Sequence, residues 1–191
     1  MATVVLLHSA LGLTRHVHDW ADALRGDGHR VETPDMFGGE TFHDLDTAVA
    51  FADGEGGPPA FTRPVIAQVR DIDGPVIYAG FSLGACVAQL LAMRREHAAG
   101  AVLMSGLVAP DWLDGEAWPD GLPAQLHRAA GDDWVSDEEA AALLAFTDGA
   151  CEEFVYPGDG HLFGFEGWPE YDDDASHRMF ERVSDFLGEL D

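Results

Sequence analysis

Val76-Ile77-Tyr78-Ala79-Gly80-Phe81-Ser82-Leu83-Gly84 is the stretch whose reading decides the fold. Its first four residues are an apolar run, as expected of a strand covered on both faces of a parallel sheet. Leu83, Val87, Leu90 and Leu91 then recur at helical spacing. Between strand and helix stands Gly-x-Ser-x-Gly. Strand, sharp turn and helix are the context of a nucleophile elbow. Small residues must flank the serine, and its oxygen stands at the strand's C-terminal end beside a helix N-terminus. The pentapeptide alone is weak in a chain with 22 glycines, so the rest of the chain must supply its partners.

Working outward, strand and helix signals alternate, which is the α/β pattern. Val4–Leu7 reads as a central strand. Thr14 is placed to cap a helix with Val17, Trp20, Ala21 and Leu24 on one face, and residues 29–33 follow as a strand. Residues 35–61 are loop-rich with a short helix near 44–52. Pro64 suits a helix's first turn, followed by Val65, Ile66, Val69 and Ile72. Residues 101–104, 125–129 and 153–156 read as further strands. Ser136 and Glu139 form a capping box for a helix to about Phe146. Asp174 is placed to cap a last helix with Met179, Val183, Phe186 and Leu187 inward. Residues 105–123 form a long connection of the kind that often lines or covers sites. The expected architecture is one domain over residues 1–191, with six mostly parallel strands, helices on both faces and no large cap.

Composition sets limits on partners. The 191 residues include 47% hydrophobic ones, enough for a substantial core. Net charge is −25, from 35 acidic and 10 basic residues, and every basic residue is arginine. Such a charge repels nucleic acid and anionic membranes. No apolar run approaches the ~20 residues of a membrane span, and the N-terminus has no basic region of a signal peptide, so a cytoplasmic protein is expected. Two cysteines in 191 residues are too few for a disulfide framework, and none is expected. Cys86, one helical turn after Ser82, reads as a buried thiol. No His/Cys cluster has metal-ligand spacing.

A serine hydroxyl needs a general base, and the base needs a group to hold its tautomer. The chain offers them in the order Ser, acid, His, each after a strand. Gly131-Asp132-Asp133-Trp134-Val135 follows residues 125–129, and Asp132 is preferred because it stands three residues before the small apolar Val135. Gly158-Asp159-Gly160-His161 follows residues 153–156, with glycine giving the backbone freedom to turn His161 toward Ser82. The oxyanion donors are expected at the amides of Leu83 and Ala10, with Leu11 as the alternative to Ala10. Phe37, Trp112, Trp118, Trp134, Phe163, Phe165 and Trp168 are candidate pocket residues. The bland readings are a chance turn, a solvated acidic turn and a Gly-His loop; the shared order lifts the three above them. The other eight histidines read as structural, with His8 bordering the oxyanion loop.

Together with His8-Ser9-Ala10-Leu11-Gly12 and Thr33-Pro34-Asp35-Met36-Phe37, these segments resemble the dienelactone hydrolase family of α/β-hydrolases over nearly the whole chain. The resemblance implies a compact α/β-hydrolase fold without a cofactor. Founding members carry cysteine at the position of Ser82 and a glutamate at that of Ser9. They place an arginine, which holds the substrate carboxylate, at that of Phe165. A serine nucleophile activated by His161 does not need the glutamate, so the expected activity is hydrolysis of a small neutral ester or lactone. A thioesterase or carboxylesterase for longer acyl chains and a non-catalytic binding protein remain open as alternatives.

Overall fold

The computed structural model describes residues 2–190; Met1 and Asp191 lie outside the described residues. Six strands form one sheet: β1 (Thr3–Leu7), β2 (Arg30–Glu32), β3 (Val76–Phe81), β4 (Ala98–Met104), β5 (Ala124–Ala129) and β6 (Cys151–Tyr156). Their order is β2-β1-β3-β4-β5-β6, and every pairing is parallel. The helices are α1 (Arg15–Gly26), α2 (Leu45–Gly54), α3 (Pro58–Gln68), α4 (Leu83–Arg94), α5 (Asp137–Phe146) and α6 (Asp173–Glu189). This is the α/β-hydrolase architecture expected above.

Burial follows position in the sheet. β1 and β3 are buried at every residue, which explains their continuous apolar runs. β2 and β6 are the edges and alternate or mix exposed and buried residues. The chain runs from β1 outward to β2 on one side and from β3 outward to β6 on the other. The order therefore reverses beside β1 and β3, and the crevice at their C-terminal ends is where an open α/β sheet places its ligand. The β1 loop and the Ser82 elbow both sit there. On one face α1 and α6 meet through Trp20 and Phe180, whose ring centroids are 5.5 Å apart.

Three local expectations need correction. The helix expected to start at Pro64 starts at Pro58, with Pro58-Pro59 in its first turn and Pro64 inside it; Ile72 falls in the turn beyond. Two adjacent prolines suit the first turn, whose N–H groups have no intrahelical partners. The last helix is capped by Asp172, not Asp174: Asp172 accepts the Ala175 N–H at 2.9 Å. Thr14 precedes α1 without capping it, because its hydroxyl bonds His16 Nδ1 at 3.1 Å. The capping box at Ser136 and Glu139 is present in both directions.

The connection 105–123 contains a short 3-10 turn, Pro110–Trp112. It is tied to α4 at several points. The Gln89 amide donates to Val108 O at 2.9 Å and accepts the Val108 N–H at 2.7 Å. Arg94 and Glu116 pair at 2.6 Å.

Candidate active site

Ser82 sits between β3 and α4 with φ 53° and ψ −115°, in the left-handed region that non-glycine residues rarely adopt. The surroundings hold it there. Its N–H donates to Met104 O at 2.8 Å, and its carbonyl accepts from the Ala85 and Cys86 N–H groups at 2.9 and 3.2 Å. The glycines of the motif are needed for space. A Cβ at Gly80 would lie 2.3 Å from the Gly84 backbone, and one at Gly84 would lie 2.5 Å from the Leu7 and His8 carbonyl oxygens. Gly106, which no sequence motif flags, belongs to the same set: its Cβ would lie 2.4 Å from Ser82 O.

Asp132 and His161 come from neighbouring strand ends. Beyond the β5–β6 ladder, the Ala130 N–H donates to Tyr156 O and the Gly131 N–H to Gly158 O, each at 2.8 Å. These bonds clamp the two loops together. His161 Nδ1 lies 2.9 Å from Asp132 Oδ2 and 3.1 Å from Oδ1, and both side chains are buried. Asp132 Oδ1 also accepts the Trp134 N–H at 2.9 Å, which fixes the carboxylate. Asp133 is exposed. His161 Nε2 lies 2.8 Å from Ser82 Oγ. The carboxylate can only accept, so Nδ1 carries the ring proton and Nε2 is left to accept the serine O–H.

The His161 loop is held further along as well. The Leu162 N–H donates to Glu170 Oε2 at 3.1 Å, and the Trp20 indole donates to Gly164 O at 2.7 Å. Of the two glycines before His161, Gly158 takes φ 103° and so uses the expected backbone freedom, while Gly160 serves a different need. Its φ is not in the left-handed region; a Cβ there would lie 2.7 Å from Glu170 O, so the need is space. Behind Asp132, Arg128 pairs with Glu153 and Asp137, each at 2.7 Å, joining β5 to β6 and α5.

Helix α4 begins at Leu83, so its N–H is a first-turn donor with no intrahelical partner. On the β1 loop, the Leu11 N–H donates to Ser9 Oγ at 3.2 Å, whereas the Ala10 N–H has no partner among the described residues. That separates the two oxyanion candidates in favour of Ala10. Cys86 donates its thiol to Leu107 O at 3.3 Å, and burial pushes it up to about 12, so the thiol is protonated near neutral pH. As a residue Cys86 is half-buried rather than fully buried. Among the described residues no group of three His, Cys, Asp or Glu is placed to hold a metal ion.

The expected aromatic pocket is largely core. Phe163 packs on Tyr156 at 5.1 Å, and Phe165 on Phe81 and His16 at 4.8 and 4.9 Å; both are buried. Phe37 joins a cluster with Phe42, Phe51 and Phe61. Trp118 is buried and donates to Leu122 O, while Trp168 is half-buried beside His16. Trp112 is 82% exposed and joins no ring cluster among the described residues. Of these candidates Trp134 is the one whose ring meets the triad among the described residues: it is 49% exposed, with its ring centroid 5.6 Å from that of His161. The physical reason is the fold: the tight turn after His161 directs residues 162–165 back into the sheet's core.

The dienelactone hydrolase family model matches residues 1–190. The chain belongs to the dienelactone hydrolase family. No curated protein matches the chain in sequence. Among solved structures it is similar to the dienelactone hydrolase-like promiscuous phosphotriesterase P91 from metagenomic libraries, at 21% identity over 100% of this chain and 87% of that one, with TM-score 0.84. It is similar to Est1E from Butyrivibrio proteoclasticus, solved with ferulic acid, at 18% identity over 100% and 89%, TM-score 0.70. It is similar to esterase PE8 at 21% identity over 99% and 92%, TM-score 0.66. At these identities the likeness is one of fold. As a member of the dienelactone hydrolase family the chain is a hydrolase of the esterase type.

Proposed function

We propose that this family member is a serine hydrolase that cleaves a small neutral carboxylic ester or lactone through an acyl-enzyme. The observation that carries the reading is the unbroken chain Ser82 Oγ, His161 Nε2, His161 Nδ1, Asp132 Oδ2, with steps of 2.8 and 2.9 Å. His161 takes the serine proton as Oγ attacks the carbonyl carbon. Asp132 holds the tautomer and stabilises the imidazolium. His161 then protonates the departing alcohol, and a water activated by the same ring hydrolyses the acyl-serine. The Leu83 and Ala10 N–H groups receive the oxyanion, each worth on the order of 3 kcal/mol in the transition state. No step calls for a cofactor. Phe165, where founding members place a carboxylate-binding arginine, is buried among rings, which supports a neutral substrate.

The test is turnover of short p-nitrophenyl esters and labelling by a fluorophosphonate. The parent is expected to show both and Ser82→Ala neither. Undiminished turnover in Ser82→Ala would reject the assignment. The exposed ring of Trp134 favours one second reading, a carboxylesterase or thioesterase for longer acyl chains. Under it, kcat/KM rises with acyl length; under the first reading it peaks at short chains. Among the described residues no helix is long and apolar enough to cross a membrane. The free thiols of Cys86 and Cys151 fit a reducing compartment such as the cytoplasm.

A further inference from the structure

His8 is 0% exposed at the end of β1, and both of its ring nitrogens have backbone partners. Nε2 accepts the Met36 N–H at 2.9 Å, from the loop after β2. Nδ1 lies 2.7 Å from Ser9 O. With Nε2 accepting, Nδ1 must carry the proton and donate to that carbonyl, so the ring is neutral and in one tautomer. Burial lowers its pKa, against smaller upward pulls from the Ser9 carbonyl and Asp35. The Gly12 N–H donates to the same Ser9 oxygen at 3.1 Å.

The consequence lies on the other side of that peptide. The described residues contain no cis peptide bond, so the C=O of Ser9 and the N–H of Ala10 point in opposite directions. Holding one aims the other. Ala10 is 1% exposed, yet its N–H has no partner among the described residues. A buried N–H left open is uncommon and calls for a reason. The loop also starts against the elbow, since a Cβ at Gly84 would strike the Leu7 and His8 carbonyls.

We infer that His8 is a positioning residue: its hydrogen bond to Ser9 O sets the Ser9–Ala10 peptide so that the Ala10 N–H is preorganised as an oxyanion donor. This rests on the ester-hydrolase reading. A donor preset in this way acts on the transition state more than on bound substrate, so its loss falls on kcat.

The two ring contacts can be separated by substitution. His8→Asn keeps an amide donor close to the place of Nδ1 and loses the contact to Met36. His8→Gln keeps an acceptor close to the place of Nε2 and loses the contact to Ser9. Both are expected to melt below the parent. Only His8→Gln is expected to lose about 10²-fold in kcat, with KM within about twofold, while His8→Asn stays within about fivefold of the parent. Equal kcat losses in the two variants, a parent-like kcat in His8→Gln, or a loss confined to KM would make His8 a core pin and overturn the inference. If neither variant folds, amide NMR of the parent decides. On phosphonylation of Ser82, the Ala10 amide proton moves downfield under the inference; movement of Leu11 instead, or of neither, overturns it. A parent that neither cleaves esters nor takes phosphonate at Ser82 rejects the hydrolase reading itself, which is distinct from a working parent with an unchanged His8→Gln.

Discussion

Asp132 and Asp133 are chemically identical neighbours, and only their surroundings separate them. Asp132 is buried and accepts from His161 and from the Trp134 amide, while Asp133 faces solvent. Asp132→Asn is expected to lower kcat about 10⁴-fold, because an amide that donates to Nδ1 selects the wrong tautomer. Asp133→Asn is expected to change it less than about twofold. Steady-state ester hydrolysis reads both, and the reverse ranking would move the acid role to Asp133. Ser82, Asp132 and His161 are legible as candidates in the sequence because each stands at a fixed offset from a strand end. His8 is not, because its partners are the carbonyl of Ser9 and the amide of Met36, 28 residues away. The aromatic residues mislead for a related reason: composition shows a ring beside a loop, and only the turn after His161 decides that Phe163 and Phe165 face the core.

At the scale of elements, strands and helices were readable because continuous apolar runs and helical spacing are properties of the local chain. Boundaries shifted where local signals compete, as with Pro58-Pro59 against Pro64 and Asp172 against Asp174. What stays hidden is contact between elements. Gly106 abuts Ser82 from the end of β4. Gly106→Ala is expected to displace the elbow and lower kcat by on the order of 10²-fold in folded protein, and circular dichroism alongside kinetics checks it. β5 supplies a second case. His127 is buried between Gln125 and Tyr156, with Nε2 3.0 Å from Gln125 Oε1 and Nδ1 2.9 Å from Tyr156 OH. Burial, with a smaller push from Arg182, lowers its pKa to about 3. Between that value and the ordinary 6.5, the unfolded chain binds a proton that the native ring refuses, so stability falls as pH drops through this window. The melting temperature is expected to decline from pH 7 to about pH 4, less steeply in His127→Gln. Equal slopes would assign the acid sensitivity to other groups.

Over the whole molecule, arginine is kept off the loops that carry the candidate site. The loops that follow the strands at the sheet's C-terminal end contain no arginine, and those after β5 and β6, which carry Asp132 and His161, include Asp133, Asp159, Glu166 and Glu170. All ten arginines lie on helices, on strands or on helix-to-strand connections. The substrate therefore meets a negative field at the mouth, beside the exposed ring of Trp134. At low salt, kcat/KM for an ester bearing a trimethylammonium group is expected to exceed that of its carboxylate-bearing analogue by roughly tenfold. The gap should close near about 1 M salt, where screening acts within a few ångströms. Equal values at low salt would show that the mouth's charge does not reach the reacting carbonyl.

The backbone of Ser82 is the least comfortable in the elbow. Its left-handed conformation costs a residue with a side chain about 1 kcal/mol or more, and the neighbouring glycines and hydrogen bonds keep the residue where it would not settle alone. A glycine there would make a sturdier and inert protein. Robustness and chemistry therefore pull in opposite directions at this one position: selection for heat resistance alone would drift toward erasing the nucleophile, and only selection for turnover keeps it.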